Sequence, residues 1–316
     1  MLEFRRIRMS DKEAFEDCLK GTNYRITEVS FAVLYIWRDK YGCEVCFDDG
    51  FLYVRYNFDN KYKYTFPIGK GDFRRALSGL EEHFAERGEE LRLDLLCDEM
   101  REKLEEEFPG RFLFEELRDS ADYIYRAESL STLAGKKLHS KRNFINRFKL
   151  ENEGRWSFDD IRAEDIGELN EYEKHWRRDN RTSEGDLDAE NRAIKELLSN
   201  MDRLGAFGGI LRLDGRIIGF SVGSRLTGDT ADVHIEKAEW MIPGAYQTLN
   251  NEFIKRFCGE YEYINREDDM GIEGLRKAKL SYYPDEIKMK YSAVSKCAQY
   301  LVMESGYHAV SKCKRG

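Results

Sequence analysis

An α/β fold with mixed sheets, built as two similar lobes joined by a basic helix, is what this sequence predicts. Three observations predict it. Strand and helix signals alternate from end to end, their order in the first half recurs in the second, and the stretch from Ser129 to Leu150 between the halves contains no acidic residue. The 316 residues, 41% of them hydrophobic, suffice for two cores, which excludes a wholly disordered chain. A net charge of −8 argues against general coating of nucleic acid and leaves room for a local basic groove. No apolar run approaches the roughly 18–20 residues that cross a bilayer, and Met1-Leu2-Glu3-Phe4-Arg5 is not a signal peptide. A soluble cytoplasmic protein is expected.

Each element has a local reason. Leu2–Arg8 reads as a strand that hands over to a helix at Ser10-Asp11. Phe51–Tyr56 and Tyr62–Ile68 alternate like paired strands, and a helix follows at Asp72–Arg87. Next come a strand at Leu91–Leu96, a helix at Asp98–Phe108, and strands at Arg111–Leu117 and Tyr123–Ala127. In the second half Ser157–Ile161 is a strand leading to a helix from Asp165, and a further helix spans Ala189–Leu204. Phe207–Leu213 and Arg216–Ser224 form a hairpin, because Asp214-Gly215 supplies the positive φ angles of a two-residue turn. Strand Asp232–Lys237 precedes helix Gly244–Phe257, which carries Leu249, Phe253 and Phe257 on one stripe. Strand Tyr261–Arg266, helix Ile272–Tyr282, stopped by Pro284, and strand Glu286–Tyr291 complete the set.

Residue identities recur as well. Phe4-x-x-Ile7-Arg8-x-x-Asp11 and Phe158-x-x-Ile161-Arg162-x-x-Asp165 match at four positions, each where a strand becomes a helix. Asp98-Glu99-Met100 leads to Phe108-Pro109 as Asp268-Asp269-Met270 leads to Tyr283-Pro284. Both features favour duplication over coincidence. The order of elements resembles the acyltransferase fold called GNAT, which implies two GNAT-like lobes meeting across a cleft. The expected division is a first lobe over 1–130, a basic connecting helix over 131–152, and a second lobe over 153–316 that carries the active site.

The connector has the most unusual composition. At about 100° per residue, Leu138, Phe144, Ile145 and Phe148 share one arc, with Lys136, His139, Asn143, Asn146 and Arg147 opposite. Together with Lys137 and Arg142 this face offers donors to phosphate oxygens, although a charge run alone is more often a solvated face. Gly135-Lys136-Lys137-x-x-x-Lys141-Arg142-Asn143-x-Ile145-Asn146-Arg147 resembles the opening motif of the C-terminal domain of bacterial phosphatidylglycerol lysyltransferases. It is most similar to soluble relatives called domain of unknown function 2156. Asn265-Arg266-Glu267-Asp268-Asp269-Met270-Gly271, continuing through Gly274-Leu275-Arg276-Lys277-Ala278-Lys279 to Ser281-Tyr282-Tyr283-Pro284, is a second match in the right order. The resemblance implies tandem GNAT lobes and, in the lipid-modifying members, transfer of an amino acid from aminoacyl-tRNA to a lipid headgroup. Fem-type enzymes, which add amino acids to cell-wall precursors, have similar architecture. The membrane-spanning N-terminal part of the lysyltransferases has no counterpart in this sequence, so a small-molecule acceptor stands beside a lipid headgroup.

Ordinary GNAT enzymes hold the pyrophosphate of CoA on a glycine-containing turn at a helix N-terminus. Here that place reads Met241-Ile242-Pro243-Gly244-Ala245-Tyr246. Gly244 is kept for cofactor binding, but Pro243 removes a donor and Tyr246 is bulky, so acyl-CoA is the second expected donor after aminoacyl-tRNA. Acyl transfer also needs a base and donors for an oxyanion. By strand alternation His234 and Glu236 share a face, and either can serve as base. Asp268 and Asp269 read first as helix caps, whereas Asn265 and Glu267 stand free for a substrate, Glu267 for an ammonium group. Arg276, Lys279 and Tyr283 recur at i, i+3 and i+7 to grip an anion, and Tyr282 or Tyr283 can donate a proton to the leaving group. Their bland alternative is a set of buried aromatics ending a helix.

Seven cysteines run from Cys18 to Cys313, and the single CxxC, Cys43-Glu44-Val45-Cys46, lacks a second pair or a nearby His. Buried thiols and no metal are expected. The competing readings are therefore an aminoacyltransferase using the tRNA acceptor end, an acyl-CoA-dependent N-acyltransferase, and a non-catalytic module for a phosphorylated ligand.

Overall fold

The computed structural model describes residues 2–58, 60–179 and 184–296. Cys297, Cys313 and the last part of the expected second lobe lie outside the described residues. The first half runs β1 (Arg5–Arg6), α1 (Lys12–Leu19), α2 (Phe31–Ile36), α3 (Arg38–Tyr41), β2 (Glu44–Asp48), β3 (Phe51–Phe58), β4 (Lys61–Tyr64) and β5 (Ile68–Gly69). It continues with α4 (Phe73–Ala85), β6 (Arg92–Leu96), α5 (Asp98–Glu107), β7 (Phe112–Glu116) and β8 (Asp122–Arg126). Helices α6 (Ala127–Thr132) and α7 (His139–Glu151) lead to β9 (Trp156–Asp160), α8 (Ile166–Asp179), α9 (Glu184–Ser199), α10 (Met201–Leu204), β10 (Ala206–Leu213) and β11 (Arg216–Arg225). Then follow β12 (Thr230–Ala238), α11 (Ala245–Phe257), β13 (Tyr263–Asn265), α12 (Glu273–Leu280), β14 (Glu286–Lys288) and β15 (Tyr291–Ser295).

The repeated motif builds the same turn twice. The Arg8 N–H donates to Asp11 Oδ2 at 2.7 Å and the Arg162 N–H to Asp165 Oδ2 at 2.9 Å. Each aspartate N–H returns to the arginine carbonyl, so a single 3-10 turn converts strand to helix in both lobes. The Asp214-Gly215 hairpin also forms, with φ of 51° and 78° at the two turn residues. Helix α4 lays Phe73, Leu77, Leu80 and Phe84 on the first sheet, its start capped by Asp72, which accepts from the Arg75 N–H.

The first sheet has the order β1-β2-β3-β4-β6-β15-β7, with β5 on β3, and the second β14-β8-β13-β12-β11-β10-β9. The lobes are copies of one plan with their last strands exchanged. Strand β8, from the first half, inserts between β13 and β14, and β15, from the second, between β6 and β7. The expected strand Tyr123–Ala127 therefore belongs to the second sheet, and the expected strand Glu286–Tyr291 divides between the two sheets. The expected boundary at residue 130 does not follow the sheets. At the crossing point Lys290 Nζ lies 2.8 Å from Asp122 Oδ1, both residues fully buried. The other Asp122 oxygen accepts from the Thr27 N–H, Thr27 Oγ1 and Asn265 Nδ2.

A hydrophobic cluster also spans both lobes. Phe15, Phe31, Leu34 and Val54 of the first pack with Leu169, Ile194, Leu197, Phe220 and Val222 of the second. Part of the expected cleft is thus closed by shared core. Residues 27–48, which carried no expected element, provide α2, α3 and β2.

Candidate active site

Strands β12 and β13 run parallel only from Thr230↔Tyr263 to Asp232↔Asn265 and then part. The second half of β12 and the loop after β13 diverge, and the wedge between them gathers polar side chains. Two backbone irregularities aim them. Val222 pairs with Ile235 and Gly223 with Val233, which leaves His234 as the extra residue of a β-bulge. Past the bulge the alternation slips by one residue: Val233 packs with Phe253 of α11, whereas Ile235 packs in the cluster of Leu169 and Ile194. The expectation that His234 and Glu236 share a face by simple alternation is corrected on this ground. The second irregularity is Glu267, a non-glycine residue at φ 57°, whose N–H is held by Asn265 Oδ1 at 2.6 Å.

His234 Nε2 is 2.8 Å from Ser224 Oγ, and Nδ1 is 3.1 Å from Glu267 Oε1. Glu236 is not a free base: Oε1 pairs with Arg266 Nη2 at 2.8 Å and Oε2 accepts from Asn250 Nδ2 at 2.7 Å. Arg266 itself stands over the rings of Tyr282, at 4.8 Å, and Tyr125, at 5.6 Å. Its Nη1 and the Asn250 Oδ1 are buried without a partner. Lys141 comes to the same ring, Nζ 4.2 Å from the Tyr282 centroid and 2.7 Å from Ser281 Oγ. Burial, and then the Arg266 charge, hold the Lys141 ammonium below the usual lysine range. Burial pushes the Tyr282 hydroxyl up, so it stays protonated. Arg266, Asn250, Lys141 and Ser224 are the members that pattern reading did not select. Lys141 in the first motif and Arg266 in the second were their visible signals.

Other expected residues go elsewhere. Arg276 is bidentate to Asp269 and bonded to Asp119, and Lys279 donates to the carbonyls of Arg266, Glu267 and Asp268. Both cations brace the loop rather than grip a free anion. Against the upward push of burial, Arg276 and Tyr123 hold the Asp269 carboxyl below the usual range. Asn265 is fully buried in the Asp122 network. Tyr282 is buried and Tyr283 is turned outward, with Lys137 above its ring at 5.3 Å.

On α7, Leu138, Ile145 and Phe148 are buried as expected, but Phe144 is 44% exposed. Its backbone lies against Gly244, the α11 N-cap at φ 87°, where a β-carbon would stand 2.5 Å from the Phe144 carbonyl oxygen. The glycine lets α7 close over the turn expected to cradle a pyrophosphate. Arg142 caps α6 through the Leu133 and Gly135 carbonyls, and Arg147 pairs with Glu151. Lys136, Lys137, His139, Asn143 and Asn146 are exposed. A separate open pocket of about 750 Å³ lies beside α8 and the end of β12, lined by Tyr172, Trp176, Trp240 and Met241 with Glu168, Glu171 and Glu239. Cys43, Cys46, Cys97 and Cys258 are free and buried, and Cys18 is half-buried.

Comparison with known proteins identifies the family and the fold. Residues 22–294 match the family described as phosphatidylglycerol lysyltransferase, C-terminal. An uncharacterised protein of Mycoplasmoides gallisepticum is 30% identical over 180 residues, 54% of this chain and 55% of that relative, so the match spans about half its length. A conserved protein of unknown function from Bacteroides thetaiotaomicron superposes with a TM-score of 0.88 at 38% identity, over 94% of this chain and all of that one. L-PGS from Bacillus licheniformis gives 0.64 at 18% identity, over 93% and 95% of the two chains, a likeness of fold. No helix among the described residues is long and apolar enough to cross a membrane.

Proposed function

This chain belongs to the phosphatidylglycerol lysyltransferase C-terminal family, a relationship that points to a transferase, and we propose that it moves an aminoacyl group from aminoacyl-tRNA to an amine or hydroxyl acceptor. The observation that carries the proposal is the wedge between β12 and β13, where Arg266 keeps one buried N–H group unpaired beside Lys141 and Tyr282. The acceptor nucleophile attacks the ester carbonyl, a new C–N or C–O bond forms, and the bond to the tRNA ribose breaks. Arg266 Nη1 donates to the developing oxyanion, in a position fixed by Glu236 and Asn250. Lys141 accepts the nucleophile's proton, and the Tyr282 hydroxyl returns one to the departing ribose oxygen. Exposed Lys136, Lys137, Asn143 and Asn146 meet the phosphates of the acceptor end. A CoA donor is disfavoured by the packing of α7 over the Gly244 turn.

A donor screen of charged tRNAs and acyl-CoAs, with mass detection of the product, tests this reading. Product from a charged tRNA and none from CoA thioesters is expected. The reverse pattern removes the tRNA donor, and turnover undiminished in Arg266→Gln removes the assigned centre.

A further inference from the structure

We propose that Asp232, His234 and Glu267 form a binding site for one divalent transition-metal ion at the seam between the lobes. This stands apart from the transferase reading and rests on a different observation. Asp232 is fully buried, and neither of its carboxylate oxygens has a hydrogen-bond partner. A bare buried carboxylate is strongly unfavourable, and this protein satisfies comparable groups elsewhere. Asp122, equally buried, has Lys290, Thr27 and Asn265, and Asp94, 3% exposed, has Tyr56 and Lys63. Among the described residues Glu28 and Glu173 each leave one oxygen without a hydrogen bond, whereas Asp232 leaves both. Instead of a donor, it faces an imidazole nitrogen and another carboxylate.

The geometry is that of a coordination shell. His234 Nδ1 is 3.1 Å from Glu267 Oε1 and 3.6 Å from Asp232 Oδ2, and the ligand atoms of all three residues lie within 4.8 Å of one another. Ligands about 2.0–2.2 Å from a common zinc-sized ion lie about 3–3.6 Å apart, so a small closing movement of the carboxylates completes the shell. His234 Nε2 rests against Ser224 Oγ at 2.8 Å, the outer partner that fixes the ring and leaves Nδ1 free to ligate. Asp232 and Glu267 set two carboxylates against one imidazole, and one added cation offsets that excess of negative charge. The His234 side chain is 1% exposed, which suits a small ion, while Glu267, 27% exposed, leaves one side open. An imidazole with two carboxylates and no thiolate selects zinc or manganese over softer ions, and the nitrogen ligand disfavours magnesium and calcium.

The test uses the full chain, stripped with a chelator and titrated with zinc, manganese and magnesium chlorides. Calorimetry and thermal unfolding are read together. Zinc or manganese is expected to bind at one equivalent per chain and raise Tm, with magnesium without effect. Asp232→Asn and His234→Gln should weaken that binding about 100-fold or more, and Ser224→Ala about 10-fold. A Cys43→Ser/Cys46→Ser variant must bind as the parent does, which separates this site from the thiols. If Asp232→Asn does not fold, Glu267→Gln, at a half-exposed position, carries the same comparison. Absence of one-equivalent binding by either transition ion, or unchanged affinity in the Asp232 or Glu267 variant, overturns the site. Stabilisation by ethylammonium chloride alone also overturns it, in favour of an amine pocket.

Discussion

The two lobes part their parallel strands at the same place and fill the opening with different chemistry. In the first, β4 and β6 pair only at Tyr64↔Leu93; in the second, β12 and β13 part after Asp232↔Asn265.

 Each opening contains a non-glycine residue in the left-handed region, Leu95 at φ 59° and Glu267 at φ 57°. The backbone is duplicated and the side chains are not. In the first lobe the buried acid at the opening, Asp94, has its partners in the Tyr56 hydroxyl, at 2.9 Å, and Lys63, at 2.8 Å. In the second, Asp232, Arg266 and Asn250 keep buried polar atoms without partners. A satisfied cluster stabilises its lobe, and an unsatisfied one is held ready for something that arrives.

Four measurements can break or sharpen that contrast. The largest effect belongs to the joint that both lobes share. Lys290→Met leaves Asp122 charged and buried, and should lower stability by about 3–5 kcal/mol in urea unfolding, with both lobes affected together. Next, Arg266→Gln in the second lobe should lower turnover about 100- to 1,000-fold while the far-UV circular dichroism is kept. Third, His83 in the first lobe is pushed down to about 4, chiefly by burial. The unfolded chain therefore binds a proton that the native imidazole resists, so stability should fall as pH drops from about 6.5 to about 4, by roughly 3 kcal/mol. His83→Gln should flatten that part of the profile. The smallest effect is expected from Tyr56→Phe, which removes one hydrogen bond to Asp94 and should cost about 1–2 kcal/mol with turnover unchanged. A fall in turnover there would end the division of labour between the lobes.

Much of the plan was legible in the sequence because it rests on local signals. The paired Phe-x-x-Ile-Arg-x-x-Asp motifs announced two equivalent turns, and both form. Asp214-Gly215 announced its hairpin, and the two long motifs led to the family. Non-local features were not legible. Nothing in the local pattern of Tyr123–Tyr125 or Tyr291–Ser295 says which sheet the strand joins, because that depends on an edge formed far away in sequence. The His234 bulge was missed because alternation assumes an unbroken ladder, and one extra residue reverses the facing of those beyond it. Arg276 and Lys279 have the spacing of an anion grip, but their partners are backbone carbonyls and acids of the preceding loop. Spacing along a helix says which residues stand together and not what they meet.

The strand exchange also affects how the molecule is made. On a ribosome, the sheet begun by β1 lacks an inner strand until β15 has emerged, some 170 residues after β8. At about 5–20 residues per second that interval is roughly ten to thirty seconds, during which neighbouring strands β6 and β7 present open edges to solvent or to a chaperone. The amino-terminal lobe is thus the first to be synthesised and cannot be the first to finish folding.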